Sequence, residues 1–177
     1  PLTKKKPMKK IQMRQVFGDH IIQKEEGTIR IASQNVNCIG IASEVNPKQD
    51  YAKNWIIQNE VDIVGWQETG VAFHLLPRRK RLSERMRDIR WSKFRISASN
   101  NKNENAEISQ YGGTAVMAFD EAAHRVHTTG SDTTGLGRWS WILFQGRNNH
   151  FTRVISAYVP CKSANDQGRT VYNQHRR

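Results

Sequence analysis

Cysteine is scarce in this chain, and long apolar runs are missing from it. The two cysteines, Cys38 and Cys161, form no Cys-x-x-Cys pair and give no disulfide framework, which favours a reducing intracellular compartment, nuclear or cytoplasmic. No apolar stretch approaches the roughly 20 residues of a membrane-spanning helix, and no basic-then-apolar signal segment is visible. We therefore expect an intracellular protein without a membrane span.

Acidic residues are also in short supply, with 16 Asp and Glu against 28 Lys and Arg and a formal net charge of +12. This excess predicts long-range attraction to a polyanion, with nucleic acid as the first expectation and an anionic membrane as the second. A basic surface that only confers solubility is the alternative. We expect a monomer whose partner is DNA or another nucleic acid.

Lysines concentrate at the start of the chain without any apolar periodicity. Five of them surround Pro7: Lys4, Lys5, Lys6, Lys9 and Lys10. Residues 1–27 are therefore predicted to be a flexible basic leader, which would be a nuclear address, a phosphate-binding arm or simply a solvated tail. Residues 28–177 are predicted to form the folded part.

Two apolar strands end in polar side chains that suit a metal ion. The strands are predicted at 28–36 and 61–67, with a helix between them at 49–59. Parallel strands joined by a helix present their carboxyl ends at one edge of a sheet, so Asn35 and Glu68 should be neighbours. Their hard oxygens would form half of a site for Mg²⁺, or for Mn²⁺ in its place. The alternative is a solvated glutamate beside an asparagine that bonds its own backbone in a turn.

Further strands are predicted at 113–119, 138–145 and 151–159, and the last two are expected to pair as a hairpin across residues 146–149. The stretch 128–137, rich in Thr, Gly, Ser and Asp, is interpreted as a loop. A helix, capped by Asp166, is predicted to start near residue 165.

Residues 78–95 carry nine Lys or Arg against Glu84 and Asp88, with Leu82, Met86 and Ile89 at helical spacing. The pattern predicts a basic amphipathic helix, either facing phosphates or merely solvated. A third strand at 91–97 is predicted where that helix ends. The candidate nucleic-acid-binding residues are all basic: Arg78, Arg79, Lys80, Arg81, Arg85 and Arg138.

Five segments resemble, in order, those of the endonuclease/exonuclease/phosphatase superfamily, the DNase I-like enzymes. Residues 33–40 (SQNVNCIG) are similar to its opening Asn motif, residues 65–69 (GWQET) to its Gln-Glu-Thr motif, and residues 154–160 (VISAYVP) to its Tyr-hydrophobic-Pro strand. Residues 112–119 and 137–144 fall where the family carries its Gly-Gly strand and the strand after it.

The resemblance implies a two-sheet α/β sandwich and a Mg²⁺-dependent phosphodiesterase, most simply a DNA endonuclease. By resemblance Asn35 would orient the metal site and the attacking water, and Glu68 would be the direct metal ligand. Tyr158 would stabilise the phosphoryl group as negative charge builds on it. The combination of a basic leader with the basic segment 78–95 most resembles the endonucleases encoded with reverse transcriptases in mobile elements. Abasic-site repair enzymes share the same motifs.

The chain also departs from the family pattern. Cys38 and Ile39 stand before Gly40, and neither a Gly-Asp-hydrophobic-Asn motif nor an Asp-His pair follows Tyr158. We therefore expect the amino-terminal portion of such a domain, incomplete at its C-terminus, without its general base and inactive alone. Two alternatives remain open: a phosphatase of phosphoinositides or other phosphate esters with the same fold, and a nucleic-acid-binding module that has lost catalysis.

Overall fold

The computed structural model describes residues 21–40, 47–76, 82–87, 91–102 and 112–159. Within them the chain forms two β-sheets with few helices, which confirms a mixed α/β fold. The elements are, in chain order, β1 Ile31–Asn35, α1 Pro47–Gln58, β2 Ile63–Gln67, α2 Leu82–Arg85, β3 Phe94–Ser99, β4 Thr114–Phe119, α3 Asp120–His124, β5 Val126–Ser131, β6 Trp139–Gln145 and β7 Phe151–Ala157. Two short 3₁₀ turns lie at Phe73–Leu75 and Arg147–Asn149.

The first sheet has the strand order β1-β2-β4-β3. β1 and β2 are parallel and in register from Ile31 opposite Ile63 to Asn35 opposite Gln67. Since α1 connects them, the predicted strand-helix-strand unit is confirmed. β4 runs antiparallel to both of its neighbours. The carboxyl ends of β1 and β2 therefore lie at one edge, as parallel pairing requires.

The second sheet has the order β5-β6-β7, with all strands antiparallel. The predicted hairpin of β6 and β7 is confirmed, with Trp139 opposite Ala157 and Gln145 opposite Phe151. The predicted loop at 128–137 is wrong in its first part, because residues 128–131 belong to β5. β5 shows no apolar alternation in the sequence because its side chains are mostly exposed at the sheet edge. At Gly130 a side chain is excluded, since an added Cβ would stand 2.4 Å from the Trp141 indole.

Two apolar clusters form on either side of the first sheet. Between the sheets, Val116 and Ala118 of β4 pack with Ile142 and Phe144 of β6. On the opposite face, β4 contributes alternate side chains to a cluster that includes Trp66 of β2. All six residues of β4 are buried, so both faces of this central strand are covered. Each fully buried large side chain adds about 1.5–3 kcal/mol to stability relative to an exposed one.

The predicted basic helix at 78–95 is wrong over its described C-terminal part. Helix α2 is a single turn that ends at Arg85, and residues 94–95 already belong to β3. Aromatic packing favours the strand here. The Trp91 and Phe94 rings lie 4.3 Å and 5.5 Å from the Phe119 ring, centroid to centroid. Tertiary packing of this kind overrides a helical pattern of charges.

The third strand, predicted at 91–97, therefore starts later and ends later than expected, at Phe94–Ser99. Helix α3, which directly follows β4 and places Ala122 and Ala123 in the core between the sheets, was not predicted, because five residues are too few to show a period. Most of the predicted leader, the basic residues 78–81 and the predicted helix from residue 165 lie outside the described residues.

Candidate active site

One edge of the two stacked sheets gathers four of the five predicted site residues that the structure describes, namely Asn35, Glu68, Arg138 and Tyr158. We call it the upper edge and define it by seven strand termini: Asn35, Gln67, Ser99, Thr114, Ser131, Trp139 and Ala157. Hydrogen bonds tie the sheets together just below it. The Ser97 hydroxyl donates to the Gly130 carbonyl at 2.7 Å, and the Ser156 hydroxyl donates to the Trp66 carbonyl at 2.8 Å. The upper edge is therefore one continuous surface made by both sheets.

Asn35 ends β1 directly beside the end of β2, as the sequence predicted. It is exposed and pairs in register with Gln67, the residue before Glu68. Its Oδ1 accepts a hydrogen bond from the Asn37 backbone N–H at 2.9 Å, which is the turn-forming role raised as the alternative. An amide oxygen has two lone pairs, so this bond is compatible with a second contact to a metal ion. Whether Asn35 and Glu68 share an ion stays a prediction.

Glu68 is half-buried and has an unusual backbone conformation, with φ of 53°. Its carbonyl accepts the Cys38 N–H at 2.7 Å. Asn37 and Cys38 on the facing loop also have positive φ, of 41° and 61°. A left-handed conformation costs roughly 1–3 kcal/mol in a residue other than glycine, and such strain is concentrated at functional sites. Three residues other than glycine with positive φ therefore lie side by side at this edge.

The loop after β1 is fixed against the segment after β2. The N–H groups of Val36, Cys38 and Ile39 donate to successive carbonyls, those of Gln67, Glu68 and Thr69, at 2.7–2.9 Å. Ile39 is 1% exposed and anchors the loop in the core. The two residues that depart from the family pattern, Cys38 and Ile39, therefore hold the loop against Glu68 rather than displacing it.

Lys48 of α1 adds a second restraint, because its Nζ donates to the carbonyls of Asn37 and Cys38 at 2.7 Å and 2.8 Å. Gly70 lies so close to the loop that an added Cβ would stand 2.5 Å from the Cys38 Sγ. Together these contacts hold both strand tips in one rigid arrangement.

Gln67 joins three strands beneath the upper edge, a role that the sequence analysis missed. Its Nε2 donates to the Ser156 hydroxyl of β7 at 2.8 Å and to the Ser33 hydroxyl of β1 at 3.2 Å. Ser156 is 2% exposed, so the bond lies between the sheets. The signal in the sequence was the position of Gln67 inside the Gln-Glu-Thr motif, but its partner is 89 residues away along the chain.

Tyr158 and Arg138 meet at the upper edge of the second sheet. The Tyr158 N–H donates to the Arg138 carbonyl at 2.8 Å, which extends the pairing of β6 and β7 by one step. Strand alternation places the two residues on the same face as Ser140 and Ser156, which look toward the first sheet. Tyr158 thus follows, by two residues, the serine that bonds Gln67. The fold brings the two predicted residues to the same edge as Glu68.

Asp132, also missed by the sequence analysis, is a buried carboxylate in the loop between β5 and β6. Its side chain is 0% exposed and lies 3.5 Å from the Arg138 Nε. Burial is the largest single influence on its pKa and raises it, but hydrogen bonds from Thr134 and from the Arg138 N–H, together with the Arg138 charge, outweigh burial and hold the pKa of this carboxyl below its ordinary value. Asp132 is therefore ionised at neutral pH. The sequence signal was an Asp in a Thr- and Gly-rich loop six residues before an arginine.

Two other polar contacts lie close to this edge. The Nδ1 of His74 and the Nδ2 of Asn100 are 2.8 Å apart, which links the 3₁₀ turn after β2 to the end of β3. Arg85, half-buried, donates from Nη1 to the Gln49 Oε1 at 3.4 Å, and Gln49 in turn donates to the Gly40 carbonyl. Arg85 therefore lies beside the loop that carries Cys38.

The donor groups suitable for a metal ion are few. Among the described ranges, no group of three or more His, Cys, Asp or Glu side chains is placed to hold an ion. Glu68 and Asn35 remain as one carboxylate and one amide oxygen, which is a donor set of the kind that Mg²⁺ accepts when water and substrate phosphate complete its shell. In the same ranges, no helix is long and apolar enough to cross a membrane.

The sequence matches no protein-family model, and no curated protein matches it. Among solved structures, the chain is similar to an AP endonuclease from Archaeoglobus fulgidus, with 19% sequence identity and a TM-score of 0.47. The similarity covers 75% of this chain and 42% of that chain, so it spans less than half of the solved protein.

Proposed function

We propose that this chain is part of a Mg²⁺-dependent phosphodiesterase of the DNase I-like superfamily, an endonuclease that hydrolyses phosphodiester bonds in DNA. The observation that supports it best is the meeting of Asn35, Glu68, Arg138 and Tyr158 at the upper edge, on strand ends held by hydrogen bonds. In the proposal, residues 28–177 form the amino-terminal portion of the domain and its two sheets form a DNase I-like sandwich.

The metal would be held by Glu68 with help from Asn35. Both supply hard oxygen atoms at a rigid edge, and Mg²⁺ (or Mn²⁺) is commonly bound by one or two carboxylates together with substrate phosphate. When bound, the ion neutralises charge on the non-bridging oxygens of the phosphate. The hydrogen bond that the Glu68 carbonyl accepts from Cys38 fixes the main chain of Glu68 at the strand tip, which would limit the positions open to its carboxylate.

Tyr158 and Arg138 would act on the phosphate itself. The Tyr158 hydroxyl would donate a hydrogen bond to a phosphoryl oxygen on which charge builds during hydrolysis, and a fixed donor stabilises such a state without reorganisation. The Arg138 guanidinium would bind a neighbouring phosphate of the DNA, since its fork of donors matches phosphate oxygens.

The net charge of +12 supports DNA as the substrate, because a polyanion is attracted to the whole surface. Within the superfamily we place the protein closest to the endonucleases that mobile elements encode with a reverse transcriptase, with abasic-site repair enzymes as the nearest alternative. An intracellular monomer, nuclear or cytoplasmic, is part of the same proposal.

Manganese provides a test of the metal site that does not depend on activity. Mn²⁺ added to the isotopically labelled chain should broaden the amide NMR signals of residues 35–38 and 67–70 first. Glu68→Gln should abolish this pattern. Glu60→Gln is the matched control, because Glu60 also has positive φ, of 49°, but lies at the opposite edge of the sheet. Broadening that is unchanged in Glu68→Gln would contradict the metal assignment.

The sparse donor set favours a second candidate, a nucleic-acid-binding module without catalysis. One carboxylate and one amide would hold an ion weakly, and among the described residues no group of three or more His, Cys, Asp or Glu side chains is placed to hold an ion. This candidate predicts DNA binding that is the same with Mn²⁺ and with a chelator, whereas the endonuclease proposal predicts binding that Mn²⁺ strengthens and that depends on Glu68.

A further inference from the structure

The loop between β5 and β6 buries a carboxylate where the proposed DNA substrate would approach. Asp132 is 4% exposed, although a carboxylate is rarely buried without partners. Its Oδ1 accepts hydrogen bonds from the Thr134 N–H at 2.9 Å and from the Thr134 hydroxyl at 2.6 Å. Its Oδ2 accepts the Arg138 N–H at 2.9 Å. The charge is therefore satisfied inside the loop and does not face an incoming phosphate.

The same carboxylate holds the Arg138 side chain. The Arg138 Nε lies 3.5 Å from the Asp132 Oδ2, and the Arg138 Nη2 donates to the Thr134 hydroxyl at 3.2 Å. About a third of the Arg138 side chain, 34%, remains exposed. A guanidinium carries five donors in a planar fork, and a phosphate in solvent can reach the exposed third of this side chain.

The loop itself is fixed to the first sheet. Leu136 forms a bridge with Asn101, and the Lys102 N–H donates to the Gly135 carbonyl at 2.7 Å. A side chain at Gly137 would collide with the Asn100 backbone at 2.6 Å. These contacts hold the backbone of the loop in place. The direction of the Arg138 side chain is then set by its ion pair with Asp132 and its hydrogen bond to Thr134.

We propose that Asp132 and Thr134 are positioning residues that aim the Arg138 guanidinium from the upper edge at a phosphate of the nucleic-acid backbone. This inference rests on the proposed function, because it takes a phosphodiester as the ligand of the edge. Asp132 would not touch the DNA. It would balance the arginine charge and select one orientation of the guanidinium before binding, which lowers the entropy lost when the phosphate contact forms.

A double-mutant cycle on DNA binding tests this assignment. Fluorescence anisotropy with a short labelled DNA duplex gives the affinity and its dependence on salt for the unaltered chain, Asp132→Asn, Arg138→Ala and the double variant. Removing one phosphate contact should weaken binding roughly tenfold near 0.1 M salt. It should also make the negative slope of log affinity against log salt shallower by about 0.9. Arg125→Ala is the matched control, because Arg125 lies at the opposite edge and pairs with Glu121.

If Asp132 acts through Arg138, Asp132→Asn weakens DNA binding and makes the salt dependence of the affinity shallower when Arg138 is present. The same substitution changes neither the affinity nor its salt dependence when Arg138 is already alanine. Thr134→Val, which keeps the shape of an exposed side chain and removes its hydroxyl, should show the same dependence on Arg138 more weakly. Near-ultraviolet circular dichroism shows whether Asp132→Asn is folded. If it is not, the comparison of Thr134→Val in the two backgrounds tests the inference instead.

Equal losses in both backgrounds would show that Asp132 and Thr134 only support the fold and would overturn the inference while leaving the proposed function standing. Failure of the unaltered chain to bind DNA more tightly than Arg138→Ala would overturn the inference at Arg138 itself. Failure to bind DNA at all would overturn the inference together with the proposed function.

Discussion

Ser156 and Ser140 offer a direct test of how the two sheets are held together below the upper edge. The two serines face each other across β6 and β7, and both look into the space between the sheets. Ser156 is 2% exposed and Ser140 is 0% exposed. Their hydroxyls differ in one respect. The Ser156 hydroxyl donates to Trp66 and accepts from Gln67, whereas the Ser140 hydroxyl has no hydrogen-bond partner among the described residues.

Replacing either serine by alanine removes one hydroxyl group from the buried space between the sheets, so the two substitutions differ mainly in the hydrogen bonds that are lost. Ser156→Ala deletes two hydrogen bonds, one donated to the Trp66 carbonyl and one accepted from the Gln67 amide, each worth roughly 0.5–1.5 kcal/mol, so it should cost about 1–3 kcal/mol of unfolding free energy. Ser140→Ala deletes a buried hydroxyl without a partner in the described structure, so we expect a change within about 0.5 kcal/mol or a gain in stability.

Thermal and urea unfolding of the two variants beside the unaltered chain would measure the difference. For a chain of this length, about 2 kcal/mol corresponds to a fall in Tm of roughly 4–8 °C for Ser156→Ala. Ser140→Ala should unfold close to the unaltered Tm. Equal destabilisation by both substitutions would refute the reasoning, because it would mean that the space filled by the hydroxyl matters and its hydrogen bonds do not.

Three further outcomes are expected from the same structure. The folded pKa of Asp132 lies below the ordinary value of an aspartate. Its contribution to stability is therefore present above the pKa of the unfolded state and is lost as the pH falls through the lower pKa of the folded state. Asp132→Asn should remove this part of the acid dependence in urea titrations at several pH values. Gly70→Ala should destabilise by roughly 1–3 kcal/mol, since φ is 69° and the new Cβ would meet the Cys38 Sγ, and an unchanged Tm would contradict that. Arg85→Glu should reduce the magnitude of the salt slope of DNA binding by about 0.9 for a lost phosphate contact, and an unchanged slope would show that Arg85 contacts no phosphate.

The parts of the fold that were predictable from sequence are those set by local apolar patterns. The run that ends at Gln67 is short and apolar, and a helix of adequate length joins it to the short run that ends at Asn35, so their parallel pairing followed from general rules. The hairpin of β6 and β7 was predictable for the same reason, since two alternating strands flank a five-residue connection, 146–150.

The parts that were missed depend on contacts between distant residues. The helical spacing of Leu82 and Met86 was real, but helix α2 is short, and the packing of the Trp91 ring against Phe119 favours β3 after it. β5 has too few apolar residues to show alternation, because most of its side chains are exposed.

At the site, strand order predicted where Asn35 and Glu68 lie, since it follows from local patterns. The serine that Gln67 bonds and the buried partners of Asp132 could not be predicted, because hydrogen-bond partners leave no periodic signal in a single sequence.

The most direct test of the central claim is metal-dependent cleavage of DNA. Plasmid and abasic-site DNA would be incubated with Mg²⁺ and either this chain or a chain extended along its reading frame, each with Glu68→Gln and Glu60→Gln variants. We predict cleavage by the extended chain that falls roughly 10²- to 10³-fold in Glu68→Gln and is unchanged in Glu60→Gln, because losing the metal ligand removes several kcal/mol of stabilisation. The 177-residue chain alone should not cleave. Cleavage that is indifferent to Glu68 would contradict the claim that the upper edge is the active site.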